Sequence, residues 1–140
     1  MKRLFDDLSK KKILLDGLVL CAGKEETIPL IAYKPSKIDS ILDINFSVPV
    51  EMMRLFSRKK NCNHNSSIII LSSVMSILGQ PGKVGYCSSK AALLGAVKAS
   101  ALELAARKIR VNAISPGVVQ TPMTQKLFSQ LSEENINRII

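Results

Sequence analysis

Apolar and polar positions alternate in blocks along the chain, and the blocks predict discrete elements. Leu4, Phe5 and Leu8 share one helical face within residues 2–12, which close on the basic run Lys10-Lys11-Lys12, so a short helix is expected there. Leu18-Val19-Leu20-Cys21 is a continuous apolar run closed by Ala22-Gly23, the profile of a buried parallel strand. Residues 24–36 carry charges, Pro29 and Pro35, and read as loop. Helical periodicity then runs over 37–60 through Ile38, Ile41, Leu42, Phe46, Val50, Met53 and Leu55, ending in Arg58-Lys59-Lys60. The polar stretch Asn61–Ser66 reads as a turn before a second buried strand, Ser67–Leu71. A loop punctuated by Gly79, Pro81, Gly82 and Gly85 leads to a long Ala/Leu-rich helix over Tyr86–Arg107. Ile109–Ile114 is a third strand, Ser115-Pro116-Gly117 breaks the chain, and a last helical stretch is expected near 123–137.

Strand, helix, strand, helix, strand in this order is the pattern of an α/β domain with right-handed crossovers in a parallel sheet. The 140 residues suit one such domain, with a core of its own. Ligands of open parallel sheets bind beyond the carboxyl ends of the strands. That rule points to Ala22-Gly23, Ser72-Ser73 and Ser115-Pro116-Gly117.

Composition narrows the function classes. Hydrophobic residues make up 46% and charged residues 22%, an ordinary globular balance. The net charge of +9 is spread out: residues 1–60 hold twelve basic and eight acidic residues, and 61–140 hold eight and three. With aromatics at 4% and no Trp there is no stacking platform for single-stranded nucleic acid, and the charge reads as solvated surface. Apolar runs such as Ile68–Leu71 are far too short to cross a bilayer, and no apolar segment follows the basic start, so neither membrane span nor secretory signal is expected. Cys21, Cys62 and Cys87 are odd in number and far apart, which excludes a disulfide framework and suits a reducing cytoplasm. Cys62 and His64 lack partners at metal spacing, so no metal site is expected.

Candidate chemistry centres on Ser73, Tyr86 and Lys90. Tyr86 and Lys90 lie four residues apart on one face of the first turn of a helix. A neighbouring ammonium favours the phenolate, so the Tyr86 pKa is expected to fall from its usual value of about 10. Reaching neutrality takes roughly 4 kcal/mol of differential stabilisation. Such a tyrosine exchanges a proton with a carbonyl or alcohol oxygen. The spacing alone is weak, because Tyr33 and Lys37 repeat it with Pro35 between them and no strand-end serine upstream. Tyr86 differs because Ser73 stands thirteen residues earlier, just past a buried strand.

With these residues in place, a family resemblance emerges. Ile70-Leu71-Ser72-Ser73-Val74, Gly79-Gln80-Pro81-Gly82 and Tyr86-Cys87-Ser88-Ser89-Lys90-Ala91-Ala92 resemble the core of the short-chain dehydrogenase/reductase family. Val111–Thr121 resembles that family's segment beneath the nicotinamide. Leu18–Gly23 resembles its central-strand motif, with Leu20-Cys21 where two asparagines are usual. The resemblance covers residues 14–124 and implies a partial Rossmann-like, doubly wound sheet of about three parallel strands. It implies an NAD- or NADP-dependent oxidoreductase acting on a carbonyl or alcohol, 3-oxoacyl thioesters being the favoured substrate class over sugars or polyols. Tyr86 is then the acid–base group, Lys90 tunes it and binds the nicotinamide ribose, and Ser73 holds the substrate oxygen. Ala22, Gly23, Pro116, Gly117, Val119 and Thr121 are placed along the cofactor. Asn45 corresponds to a fourth catalytic position whose carbonyl holds a water. Pro49, four residues on, lacks the amide that would otherwise bond that carbonyl.

One part of the family pattern is not matched. No Gly-rich strand–turn–helix segment occurs in the 140 residues. The resemblance therefore implies that the pyrophosphate platform, on the order of 80 residues, lies outside this chain, and that the chain alone is inactive. The alternatives are a non-catalytic interaction protein that keeps the family's helical interface or, less favoured, a basic nucleic-acid-binding fragment. The nearly all-round apolar surface of helix 86–107 implies a second buried face, and with helix 37–60 it predicts a homo-oligomer.

Overall fold

The computed structural model describes residues 1–119. In chain order the elements are α1 (Lys2–Lys10), β1 (Leu15–Leu20), α2 (Pro35–Leu42), α3 (Val48–Phe56), β2 (Cys62–Leu71), α4 (Met75–Leu78), α5 (Val84–Leu104) and β3 (Arg110–Ile114). The three strands form one parallel sheet in the order β1-β2-β3, so each crossover carries its helices to the same face. The expected helix near 123–137 falls outside the described residues.

Alternation along the strands decides which face is covered. Leu18 and Leu20 pair with Ile68 and Ile70, which pair with Val111 and Ala113. This face packs on Phe5, Met53, Phe56, Leu93 and Val97 from α1, α3 and α5 to make the core. The opposite row, Val19, Ile69 and Asn112, is uncovered among the described residues, with Val19 60% exposed. β2 is apolar on both faces over Ile68–Leu71, as in parallel sheets covered on both, whereas β3 carries Arg110 and Asn112 on the uncovered face.

Several elements differ from the sequence reading: α4 forms inside the expected loop, and α5 spans Val84–Leu104 rather than Tyr86–Arg107. The helix expected over 37–60 starts earlier, at Pro35, whose missing amide is harmless in a first turn, and ends at Phe56. It is also interrupted: residues Asp43–Ser47 form a π-helical turn in which the Val48 amide reaches back to the Asp43 carbonyl. Pro49 sits in the first turn of α3 and has no amide to continue the α-helical ladder, so the register slips by one residue. Of the polar stretch 61–66, Asn61 is in a turn but residues 62–66 belong to β2. It bulges between the pairs Leu15–Cys62 and Gly17–Ser67, with Asn65 at φ 69°. β1 correspondingly runs from Leu15 to Leu20 and leaves Cys21 outside the sheet.

Candidate active site

The carboxyl ends of β1 and β2 face the amino-terminal turns of α5, and the candidate residues meet there. β2 ends at Leu71; Ser72 then bonds through its amide to the Ile114 carbonyl, and Val74 to the Pro116 carbonyl. These two bonds extend the β2–β3 ladder past both strands and bring Pro116-Gly117 alongside Ser73. The Ser72 hydroxyl donates to the Lys90 carbonyl at 3.0 Å, fastening α5 to the end of β2. Ser73 is buried; its hydroxyl accepts from the Met75 amide at 3.2 Å and also reaches Tyr86.

Lys90 is only 4% exposed. Its ammonium donates to the Leu71 carbonyl at 2.7 Å and lies 5.8 Å from the centre of the Tyr86 ring. Burial lowers the Lys90 pKa. The Tyr86 pKa moves up, opposite to the sequence expectation. Burial is the largest cause, the hydrogen bond with Ser73 opposes it, and the Glu25 carboxylate and Cys87 add to the rise. The physical reason is geometric: the ammonium is turned to a backbone carbonyl, and desolvation of the phenol dominates. Tyr86 is therefore protonated at neutral pH, the form that gives a proton away.

Asn45 is completely buried within the π-helical turn. Its amide nitrogen donates to the Lys24 carbonyl at 2.8 Å and to the Ser89 hydroxyl at 2.9 Å, and its oxygen accepts from the Lys24 amide at 2.7 Å. Ser89 in turn donates to the Tyr86 carbonyl at 2.8 Å. The side chain thus clamps the segment after β1 to α5. Gly23 lies between these residues. A Cβ there would stand 3.4 Å from the Lys90 ammonium and 3.7 Å from the Asn45 side-chain oxygen. The bare backbone leaves the space beside Lys90 open, the kind of cradle that a nicotinamide ribose needs.

Of the remaining candidates, Ala22 and Gly117 are exposed and Pro116 half-buried at the same end of the sheet, and Val119 is 54% exposed. Thr121 lies outside the described residues. Sequence reasoning missed Lys83, whose ammonium pairs with the Glu25 carboxylate and with the Thr27 hydroxyl at 2.5 Å. It also missed the clamp made by the Asn45 side chain. The only signals were a lysine in a loop of small residues and the acidic pair Glu25-Glu26, which no spacing rule connects. Among the described residues no helix is long and apolar enough to cross a membrane.

Comparison with known proteins bears on the family and the fold. A family model described as enoyl-(acyl carrier protein) reductase matches residues 1–140. The chain is 34% identical over 139 residues to the 3-oxoacyl-(acyl-carrier-protein) reductase FabG of Thermotoga maritima, covering 99% of this chain and 56% of that protein. Against the FabG of Rickettsia felis it is 36% identical over 133 residues, covering 95% and 55%. A 4-hydroxyisoleucine dehydrogenase mutant complexed with NADH and succinate superposes with a TM-score of 0.84 at 30% identity, over 92% of this chain and 54% of that one. The chain thus spans about half the length of the relatives it matches. A parallel sheet of three strands, the serine, tyrosine and lysine gathered at its carboxyl end, and a family match over the whole chain lead to one assignment: the chain belongs to the short-chain dehydrogenase/reductase family.

Proposed function

We propose that this chain carries the catalytic centre of an NAD- or NADP-dependent oxidoreductase that interconverts a carbonyl and an alcohol. The observation that carries the reading is the convergence of Ser73, Tyr86 and Lys90 from two elements on the open space beside Gly23. The favoured substrate class is a 3-oxoacyl thioester, in line with the relatives from Thermotoga maritima and Rickettsia felis.

The nicotinamide, when bound, supplies or accepts the hydride. The chain's own residues handle the proton and the developing charge. In reduction, Tyr86 gives its phenolic proton to the carbonyl oxygen, and the Ser73 hydroxyl donates a hydrogen bond to the same oxygen. Lys90 would hold the ribose hydroxyls, with Gly23 leaving room for them, and its charge favours the phenolate that forms. Asn45 holds the segment from Gly23 to Lys24 against α5 and offers its backbone carbonyl for a water. Pro116, Gly117, Val119 and Thr121 would lie along the nicotinamide. The inactivity expected of the isolated chain belongs to this proposal, because no Gly-rich phosphate-binding turn occurs in its sequence.

Assembly is part of the same reading. Leu102 is 82% exposed, Gly95 and Ala99 are exposed on α5, and α3 and α5 leave between them an open hollow of about 330 Å³ lined by Val50, Met53, Ser100 and Leu104. A second copy presenting the same helices would bury this surface in a homo-oligomer. Light scattering at micromolar concentration should show a dimer or tetramer, and a stable monomer would refute the assembly.

The activity is tested by fusing the chain to the portion of the Thermotoga maritima relative that it does not cover. The fusion should reduce a 3-oxoacyl thioester with a reduced nicotinamide cofactor. Tyr86→Phe should slow it by about 10²- to 10⁴-fold and leave cofactor binding intact. Full activity in that variant would remove Tyr86 from the chemistry.

A further inference from the structure

The segment from Gly23 to Ile28 is tied at both ends. Asn45 brackets Lys24, and the Ile28 amide donates to the Gly82 carbonyl at 2.8 Å. Between these ties stands Lys83, the residue that caps the amino terminus of α5, three positions before Tyr86. A helix amino terminus favours anions, so a lysine there is poorly placed unless a carboxylate answers it. Lys83 is nevertheless only 7% exposed. Its ammonium meets the Glu25 carboxylate and the Thr27 hydroxyl, across 58 and 56 residues of sequence. Gly82 makes the approach possible: at φ +75° it has no side chain, and a Cβ would stand 2.9 Å from the Thr27 methyl. The ion pair thus joins the strip beside Gly23 and Lys90 to the head of the helix that carries Tyr86.

We propose that Glu25 and Lys83 are a positioning pair: their contact holds the Gly23–Ile28 strip against the head of α5 and keeps the Glu25 carboxylate, compensated, beside Tyr86. The proposal rests on the reading of Tyr86 as the acid–base group. Among the described residues, few charged and titratable groups face Tyr86. Cys87 and Lys90 are on α5 itself, Glu25 comes from the strip after β1 with the Lys83 ammonium bonded to it, and the Ser73 hydroxyl follows β2. Lys24 is engaged with Glu26 and Ser40, and the β3 tail at 115–117 brings no titratable side chain. Removing the lysine leaves the carboxylate uncompensated and disfavours the phenolate. Removing the carboxylate does the reverse.

The chain has two tyrosines and no Trp, so phenolate absorbance in a Tyr33→Phe background reads Tyr86 alone, without substrate or cofactor. In alkaline titrations of the full 140-residue chain, Lys83→Met should raise the Tyr86 midpoint by roughly half a pH unit or more. Glu25→Gln should lower it, Glu25→Gln/Lys83→Met should fall between the single variants, and Lys83→Arg should restore the parent value. A merely structural tie would lower stability and leave the midpoint where it was. Unmoved midpoints in folded Lys83→Met and Glu25→Gln chains overturn the proposal, as do shifts of the same sign. Should Lys83→Met fail to fold, the sign of the Glu25→Gln shift decides alone. Because the titration needs no turnover, its failure leaves the proposed reaction standing, and an active Tyr86→Phe fusion would refute that reaction without touching the titration.

Discussion

Two copies of one spacing, Tyr33 with Lys37 and Tyr86 with Lys90, share a molecule and almost nothing else. Tyr33 closes the short helical turn Leu30–Ala32 in extended conformation, and Pro35, two residues on, opens α2. The two residues therefore never share a helical face, and Lys37 points to solvent, 53% exposed and 3.5 Å from Glu26. Tyr86 and Lys90 lie within the unbroken first turns of α5, where a four-residue separation stacks side chains. There the lysine is buried, bonded to the Leu71 carbonyl and set over the tyrosine ring. What separates the copies is the helix beneath them and the strand end facing them. Four residues of spacing bring side chains together only when the backbone between them is helical, and only at Tyr86 does a second element add Ser73.

Exchanging each lysine for methionine sharpens the contrast most. In the fused protein, Lys90→Met removes the cation beside Tyr86 and should lower the rate by about 10²-fold or more. It also leaves the Leu71 carbonyl without its donor, a loss of about 1–3 kcal/mol partly offset by no longer burying a charge. Lys37→Met removes a half-exposed cation from its surface pair with Glu26 and should leave the rate unchanged and the unfolding midpoint nearly so. Urea unfolding and steady-state kinetics on the two variants check this together. Equal effects would mean that burial and helix placement do not distinguish the copies.

Much of the architecture was legible because it rests on local pattern. Uninterrupted runs such as Ile68–Leu71 mark buried strands, and the Ala/Leu-rich stretch marks α5. The strand-end position of Ser73 and the spacing of Tyr86 and Lys90 were visible for the same reason. What escaped the pattern depends on tertiary context. The apolar periodicity runs straight through Pro49, so it does not reveal the π-helical turn that buries Asn45. Asn63–Ser66 look like a turn because they are polar, yet the chain bulges and stays in the ladder. The direction of the Tyr86 shift depends on how far burial removes the phenol from water and on where the Lys90 ammonium points. Neither quantity is written in spacing. The Glu25–Lys83 pair spans 58 residues and joins two loops, for which sequence offers no register.

A smaller effect tests what Tyr33 does instead of chemistry. Its ring lies on Gly85, the residue just before Tyr86, and its buried hydroxyl has no hydrogen-bond partner among the described residues. A Cβ at Gly85 would press onto that hydroxyl, stand 2.9 Å from the ring carbon bearing it, and come within 3.2 Å of the Ile41 terminal methyl. Gly85→Ala therefore sets two terms against each other. Alanine favours the helix by roughly 0.5–1 kcal/mol over glycine, while overpacking against a ring and a buried methyl costs about 1–3 kcal/mol. The clash should win, giving a net loss of about 1–2 kcal/mol in urea unfolding. Trimming the ring removes the obstacle, so Gly85→Ala in a Tyr33→Ala background should be neutral or stabilising. The non-additivity of the pair then measures the contact directly. Additive effects would place Tyr33 away from Gly85, and its part in shaping the head of α5 would be lost.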